Sequence, residues 1–130
     1  PQQGKILYLS GADISIPLDT ILRDTGYHVT RLICYEAHLK TEFSAEVVKM
    51  IQQKQISGVL LYSKRTAEHF MKLIHQGGSV EVLQNMDAYI LSHQILSSDS
   101  QQLFKCVIFP EVPQEADLIK LIKLNNKKVA

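Results

Sequence analysis

The stretch from Gly58 to Ile74 constrains the fold most, because it predicts a buried strand that runs directly into an amphipathic helix. Its first part, Gly58–Tyr62, is an apolar run without interruption, as in a strand covered on both faces. Ser63 follows at a helix N-cap position, where its hydroxyl can accept a hydrogen bond from a backbone amide. The apolar face of the predicted helix Lys64–His75 consists of Ala67, Phe70, Met71 and Ile74. Ligands of open α/β sheets bind at such joints, which lie at the carboxyl ends of parallel strands.

Strand and helix patterns alternate along the whole chain. The other predicted strands are Lys5–Leu9, Val29–Tyr35, Asp87–Leu91 and Cys106–Phe109. The other predicted helices are Ile16–Thr25 with Ser15 as cap, Phe43–Lys54, His93–Leu103 and Gln114–Leu124, with a short helical turn at Val80–Asn85. Right-handed βαβ crossovers then give a parallel sheet with helices on both faces. We expect one α/β domain over residues 1–130, with five strands in the flavodoxin-like order 2-1-3-4-5.

Composition narrows the classes of partner. The formal net charge is +1 and Trp is absent, so neither nucleic acid nor an anionic membrane surface is an expected partner. No apolar run approaches the roughly 20 residues of a membrane span. Both cysteines, Cys34 and Cys106, fall inside predicted strands and are interpreted as reduced core thiols. These features favour a cytoplasmic protein.

Small polar residues recur where the predicted strands end. In chain order these residues are Ser10 and Gly11, Tyr35 and Glu36, Ser63 and Lys64, Ser92 and His93, and Pro110 and Glu111. All of them meet at one edge of a parallel sheet, where several helices also begin with their amides directed outward. The pattern indicates an edge that can bind anions. The alternative, that each Ser only caps its own helix, stays open.

Several common chemistries lack their motifs in this chain. A phosphate-accepting receiver domain needs an Asp after the third strand, where this chain has Ser63. The loop after the first strand, SGADIS, is a poor match to a flavodoxin phosphate loop, and no glycine-rich nucleotide motif is present. His69 and His75 are six residues apart on one helix and do not share a face, so no metal site is predicted.

The order of these segments resembles the C-terminal half of the uroporphyrinogen-III synthase family. The family's second half begins with a strand, a polar loop, a helix and a strand ending in "VY", to which KILYLSGADISIPLDTILRDTGYHVTRLICYEA is similar. The family then has an apolar strand that ends in a Ser-Pro turn before a helix with a Phe, to which GVLLYSKRTAEHFMKLI is similar. The resemblance covers roughly Gly4 to Lys123.

The resemblance implies an enzyme that cyclises the linear tetrapyrrole hydroxymethylbilane, inverts its last pyrrole ring and loses water without a metal or organic cofactor. The substrate carries eight carboxylates. The family's candidate for assisting departure of the hydroxyl corresponds to Tyr35, although packing of a strand-end aromatic explains this residue as well. Ser63 corresponds to the family's strand-end Ser. With it, the substrate-binding residues that the resemblance and the edge pattern imply are Ser10, Gly11, Lys64, Ser92 and His93.

The chain departs from the family at two strand ends. Lys64 stands where the family has Pro, and its ammonium group can pair with a substrate carboxylate. After the fourth strand, Leu91 replaces a Gly, while His93 and Gln94 stand in place of a Thr pair. Ser92 is the one hydroxyl that remains at this turn of the sequence.

The family is about twice as long as this chain and has two lobes, between which its chain crosses after the "VY" strand. Three arrangements are therefore expected as alternatives. The chain is part of a longer enzyme, or it pairs with a second copy by docking or by exchanging its first βαβ unit across a hinge at residues 36–42. The third alternative is a catalytically inactive flavodoxin-like domain that binds a ligand or a partner.

Overall fold

The computed structural model describes residues 4–11, 17–35, 42–78 and 80–129. Its strands are β1 (Lys5–Gly11), β2 (His28–Tyr35), β3 (Ile56–Leu61), β4 (Asp87–Ile90) and β5 (Cys106–Ile108). They form one five-stranded sheet in the order β2-β1-β3-β4-β5, and every neighbouring pair is parallel. The flavodoxin-like order expected from the alternating pattern is therefore confirmed.

The α-helices are α1 (Leu18–Asp24), α2 (Ala45–Gln52), α3 (Lys64–Gln76), α4 (Ser98–Gln101) and α5 (Glu115–Val129), with 3-10 helices at Val80–Asn85 and His93–Ile95. The predicted cap of the first helix, Ser15, lies outside the described residues, and Pro17 is the N-cap of α1. Gly26 follows that helix with φ of 99°, a left-handed value that favours glycine. Within the described residues, no helix combines the length and hydropathy needed to cross a bilayer.

Each face of the sheet is buried under its own set of helices. In β1, Leu7 and Leu9 belong to one core cluster, whereas Ile6 and Tyr8 belong to the other. The first cluster contains the buried residues of α2 and α3, and we name its side the α2/α3 face. The second contains residues of α1 and α5, and we name its side the α1/α5 face. Side chains of one strand alternate between faces, so both sides of β1 contribute to burial.

Strand β1 lies inside the sheet, because it pairs with β2 on one side and with β3 on the other. The sequence left open an exchange of the first βαβ unit with a second copy of the chain. In this structure the unit completes the sheet of its own chain. The expected hinge falls mainly on residues 36–41, which lie outside the described residues.

The segment after β4 differs from the single helix predicted over His93–Leu103. Ser92 caps a 3-10 helix at His93–Ile95, and Ser97 then caps α4, with its hydroxyl accepting a hydrogen bond from the Ser100 amide. Leu96, between the two short helices, is extended, with φ of −111° and ψ of 140°. Two serine caps only five residues apart start two helices, which is why one long helix does not form.

The interpretation of Cys106 as a core thiol is wrong, because its side chain is exposed. Strand β5 pairs only with β4, so it is the edge of the sheet, and Cys106 lies opposite Asp87 where the strand begins. The Cys34 side chain is not among those described.

The last helix continues beyond the predicted end at Leu124, because its polar residues bind the sheet. Asn125 Nδ2 donates hydrogen bonds to Tyr89 Oη at 2.8 Å and to Asp87 Oδ2 at 2.9 Å. Burial raises the pKa of the Tyr89 phenol, and the Asn125 hydrogen bond offsets part of this effect. Asn125 and Asn126, which follow the predicted end of the helix, therefore belong to the packed part of α5.

Gly58 is required by the position of the Tyr89 ring. A Cβ atom on Gly58 would lie 2.8 Å from Tyr89 Cε2, closer than two carbon atoms can approach. The ring cannot easily move aside, since Tyr89 is 2% exposed and its hydroxyl is bound by Asn125. The close contact between Gly58 on β3 and the Tyr89 ring on β4 is thus the reason for glycine at this position.

Gly58→Ala is expected to lower the free energy of unfolding by about 1–3 kcal/mol through overpacking, measured by equilibrium urea denaturation. Gly77→Ala is the matched control. The nearest atom to a Cβ at Gly77 is Leu73 O at 3.5 Å, and φ is −80°, so Ala fits without strain. Equal losses in the two variants would contradict the packing argument.

Candidate functional site

Most of the site residues predicted from the sequence lie at the carboxyl ends of the strands. Leu9 is level with Leu61, and Leu61 is level with Ile90, so the neighbouring strands β1, β3 and β4 end side by side. Ser63 and Ser92 each lie two residues beyond a paired position. From β2 to β4 the edge spans three strand spacings, or about 14 Å.

The first corner of this edge is built by β1 and β2. Ser10 is level with Ile33, but Gly11 is level with Tyr35, so β2 has one extra residue at this point, Cys34. An extra residue in one strand locally bends it and re-aims the residues that follow. The backbones of Gly11 and Tyr35, both selected from the sequence, are therefore direct neighbours at the edge.

Ser10 is 6% exposed, and its hydroxyl is already bound by a charged group. Arg31 Nε donates a hydrogen bond to Ser10 Oγ at 2.8 Å. Arg31 is level with Tyr8 in the strand register, so its side chain extends toward the carboxyl end to reach Ser10. Ser10 thus holds a guanidinium group at the edge, and we infer that this is its main contribution there.

The neighbouring strand end carries a buried hydroxyl. Tyr62 directly follows β3 and packs against the core of the α1/α5 face. Its phenol oxygen is buried and has no hydrogen-bond partner in the described part of the chain. A buried donor left unsatisfied costs about 1–3 kcal/mol.

Ser63 caps α3 as the sequence predicts. Its hydroxyl accepts a hydrogen bond from the Thr66 amide at 3.2 Å and donates one to Thr66 Oγ1 at 3.0 Å. The first turn of α3 has no acidic residue, and Lys64 and Arg65 begin it. Cations at a helix N-terminus oppose the helix dipole, typically by 0.3–1 kcal/mol. The start of α3 consequently carries positive charge.

Lys64 also begins an open groove of about 430 Å³ on the α2/α3 face. One wall is α3, with Lys64, Lys72 and His75, and the other is the segment from Gln94 to Ser100. Lys64 therefore belongs to both the carboxyl edge and this groove.

At the β4 corner, the Ser92 hydroxyl is already used as a helix cap. Ser92 Oγ accepts a hydrogen bond from the Gln94 amide at 3.3 Å. The exposed His93 ring lies against Phe109, with ring centroids 5.8 Å apart and planes inclined by 42°. Phe109 is itself 41% exposed, so this corner presents an aromatic surface next to a capped turn.

The described residues provide no metal centre, because no group of three or more His, Cys, Asp or Glu side chains could hold an ion among them. The described strand ends carry hydroxyls, backbone amides and basic side chains. Such groups recognise anions and stabilise negative charge that develops during a reaction.

The five parallel strands in the order 2-1-3-4-5, with a basic and polar carboxyl edge, define a flavodoxin-like α/β protein. A family model described as uroporphyrinogen-III synthase HemD matches residues 1–120 of the 130-residue chain. The chain belongs to the uroporphyrinogen-III synthase family. A search of the curated proteins found no match.

Three residues at this edge were not predicted from the sequence. Arg65 could have been found, since it follows Lys64 directly in a predicted first helical turn. Arg31 gave no signal, because a polar residue inside a predicted strand is ordinarily a solvated side chain. Tyr62 read as the last member of an apolar run, and only the three-dimensional structure shows its unsatisfied hydroxyl.

Ser63→Ala is expected to lower the free energy of unfolding by about 1 kcal/mol, because α3 loses its N-cap. Ser63→Asp should restore this stability, since an aspartate oxygen also accepts from the Thr66 amide and suits the helix dipole. Urea denaturation of both variants checks the prediction. If Ser63→Asp is as unstable as Ser63→Ala, capping does not explain the residue.

Proposed function

We propose that this protein acts as a uroporphyrinogen-III synthase, which cyclises hydroxymethylbilane with inversion of the last pyrrole ring and loss of water. One observation carries the proposal. The family match runs from residue 1 to residue 120 and so includes every strand of the sheet and every strand end discussed above. A match of this extent supports a shared site as well as a shared fold.

The electrostatics of the carboxyl edge suit a substrate with eight carboxylates. Lys64 and Arg65 stand at the start of α3, and the Arg31 side chain reaches the end of the β1/β2 pair through its hydrogen bond to Ser10. Fixed cations and amides of this kind bind a polyanion without first having to reorganise, which lowers the cost of reaching the transition state. We propose that Ser63 and Ser92 contribute backbone amides more than hydroxyls, because both hydroxyls already cap helices. Gly11 contributes its backbone amide.

Tyr35 is the proposed acid that assists departure of the hydroxyl group. A tyrosine phenol ordinarily has a pKa near 10, so it is protonated at neutral pH and can donate a proton to a leaving oxygen. The proton and the leaving hydroxyl together form the water that is lost. Tyr35 ends β2 beside Gly11, at the strand pair whose basic residue is Arg31.

A sheet edge supplies one wall of a binding cleft. The family's two-lobed length suggests the second wall, which we propose comes either from an N-terminal half or from another copy of the chain. The β4 corner lacks a glycine that would let a ligand approach the backbone closely, because Leu91 and His93 stand where the family has small residues. Substrate contacts at that corner are therefore proposed to come from the His93 ring and the Ser92 turn.

A second function is favoured by the use that the fold makes of its hydroxyls. Ser10 Oγ accepts from Arg31, and Ser63 and Ser92 cap helices, so none of them is an exposed, uncommitted nucleophile or acid. A domain that binds a tetrapyrrole or partner without turning it over would have the same edge. This alternative keeps the recognition chemistry and lacks the role of Tyr35.

Product analysis separates the two functions. Full-length protein is supplied with freshly made hydroxymethylbilane, and the products are oxidised and resolved as porphyrin isomers. The enzyme produces isomer III, whereas spontaneous closure of the substrate produces isomer I. Isomer I alone, in the same amount as without protein, would exclude the synthase activity and leave the binding domain.

Tyr35→Phe is expected to lower the turnover number by about 10-fold or more, because a general acid contributes on the order of 10²–10⁴ in rate. The free energy of unfolding should change little. Tyr27→Phe removes the same hydroxyl at the opposite end of β2 and should retain full activity. An unchanged turnover number in Tyr35→Phe would remove the residue from the mechanism.

A further inference from the structure

We propose that the Phe109 ring, held beside the His93 ring, is the surface against which one pyrrole ring of the ligand packs. We refer to Phe109 and His93 as the aromatic platform. Phe109 is then a further contact residue of the carboxyl edge, and it favours ligands that combine flat rings with carboxylates. The identity of the ligand, a tetrapyrrole polycarboxylate, rests on the proposed function.

The sheet register places Phe109 at the carboxyl edge. Tyr89 is level with Ile108, the last residue of β5, and Phe109 follows Ile108 directly. Val107 packs against the core of the α2/α3 face, whereas Ile108 packs against the core of the α1/α5 face. Because side chains alternate along a strand, Phe109 projects from the α2/α3 face, the side of the sheet on which α3 also lies.

The Phe109 ring is exposed although its surroundings hold it in place. The side chain is 41% exposed, whereas the next residue, Pro110, is buried. The centroid of the ring lies 5.8 Å from that of the exposed His93 ring, with the planes inclined by 42°. Aromatic rings at this separation attract each other, so His93 limits the motion of the Phe109 ring. A ligand that covers this ring removes apolar surface from water at a small cost in side-chain freedom.

A basic side chain stands close to the platform. Gln94, the residue after His93, lines the groove whose opposite wall begins with Lys64. The strand that leads into α3, β3, is two strand spacings from β5, or about 10 Å. A ligand that lies on the platform therefore has the start of α3 within reach of its rim.

A tetrapyrrole matches this combination of groups. Its pyrrole rings have flat apolar faces, and its carboxylates lie at the rim. Hydroxyls, backbone amides and ammonium groups bind the carboxylates but leave the ring faces in water. The face or edge of a Phe ring packs against a flat π system and needs no hydrogen bond to do so. An anion without rings, in contrast, gains nothing from Phe109.

The platform lies at the corner where the chain departs from its family. The resemblance places a Gly and a Thr pair after the fourth strand, where this chain has Leu91, His93 and Gln94. The Ser92 hydroxyl is engaged in a cap, because it accepts a hydrogen bond from the Gln94 amide. Contact with a ring face of the ligand thus takes the place of close approach to the backbone at this corner.

The test measures binding of uroporphyrin III to the full chain by fluorescence titration. Phe109→Leu keeps an apolar side chain but removes the ring, and it should weaken binding about 3-fold to 10-fold, the value of one aromatic contact. Phe109→Tyr keeps the ring and should bind within about twofold of the wild type. The loss in Phe109→Leu should be the same at about 0.1 M and 0.3 M salt, because salt screens charges and not packing.

Leu124→Ala is the matched control. Leu124 is a similarly exposed apolar residue, at 52%, but it lies at the opposite edge of the sheet. Its neighbour Asn125 donates a hydrogen bond to Asp87, the first residue of β4. This variant should change the affinity for uroporphyrin III less than about twofold.

Several outcomes would overturn the proposal. These are an absence of uroporphyrin binding to the wild type, wild-type affinity in Phe109→Leu, or a loss in Phe109→Tyr as large as that in Phe109→Leu. A loss of affinity that is accompanied by a change of oligomeric state in sedimentation velocity would also overturn it, because the ring would then join two copies of the chain. Phe109→Met, which also lacks a ring, replaces Phe109→Leu should that variant not fold by circular dichroism.

Failure of the synthase activity gives a different pattern. In that case no isomer III is produced, but the affinity for uroporphyrin III still falls in Phe109→Leu. Conversely, production of isomer III together with wild-type affinity in Phe109→Leu supports the synthase and overturns the aromatic platform.

Discussion

Parallel pairing of β1 on both sides is the interaction on which the rest of the structure depends. Because helices cover both faces of the sheet, alternate residues of β1 fill two separate cores, and Leu7 and Tyr8 do so from adjacent positions. Parallel order also sends every strand end to one edge. Residues far apart in the chain, such as Ser10 and Ser63, become neighbours there only through this pairing.

The serine hydroxyls at the carboxyl edge stabilise the fold. The hydroxyls of Ser63 and Ser92 cap helices, and the Ser10 hydroxyl accepts a hydrogen bond from Arg31. In the proposed function, the ligand is therefore bound by basic side chains and by the outward amides of helix starts. Under the proposed function, a serine-rich edge of this kind binds a polyanion without exposing reactive hydroxyls.

The sequence predicts the sheet order well, because alternating apolar runs and helical periods leave few topologies once crossovers must be right-handed. Ser63 as a cap follows from its position between two clear periodic segments. The segment after β4 was harder, since Ser92 and Ser97 compete as caps and Ile95 and Leu96 give no clear period. The contact of Arg31 with Ser10 depends on strand register, and the burial of Tyr62 depends on packing of the α1/α5 face, so no local sequence pattern reveals either of them.

Amide hydrogen exchange with and without uroporphyrin III tests most directly whether the carboxyl edge is the binding surface. The account predicts slower exchange in the presence of the porphyrin at Ser10–Gly11 and at the start of α3, from Lys64 to Thr66. Amides near Lys5, His28 and Ile56, at the opposite edge, should exchange at an unchanged rate. Slowed exchange at that opposite edge, or no change at either edge, would contradict the account.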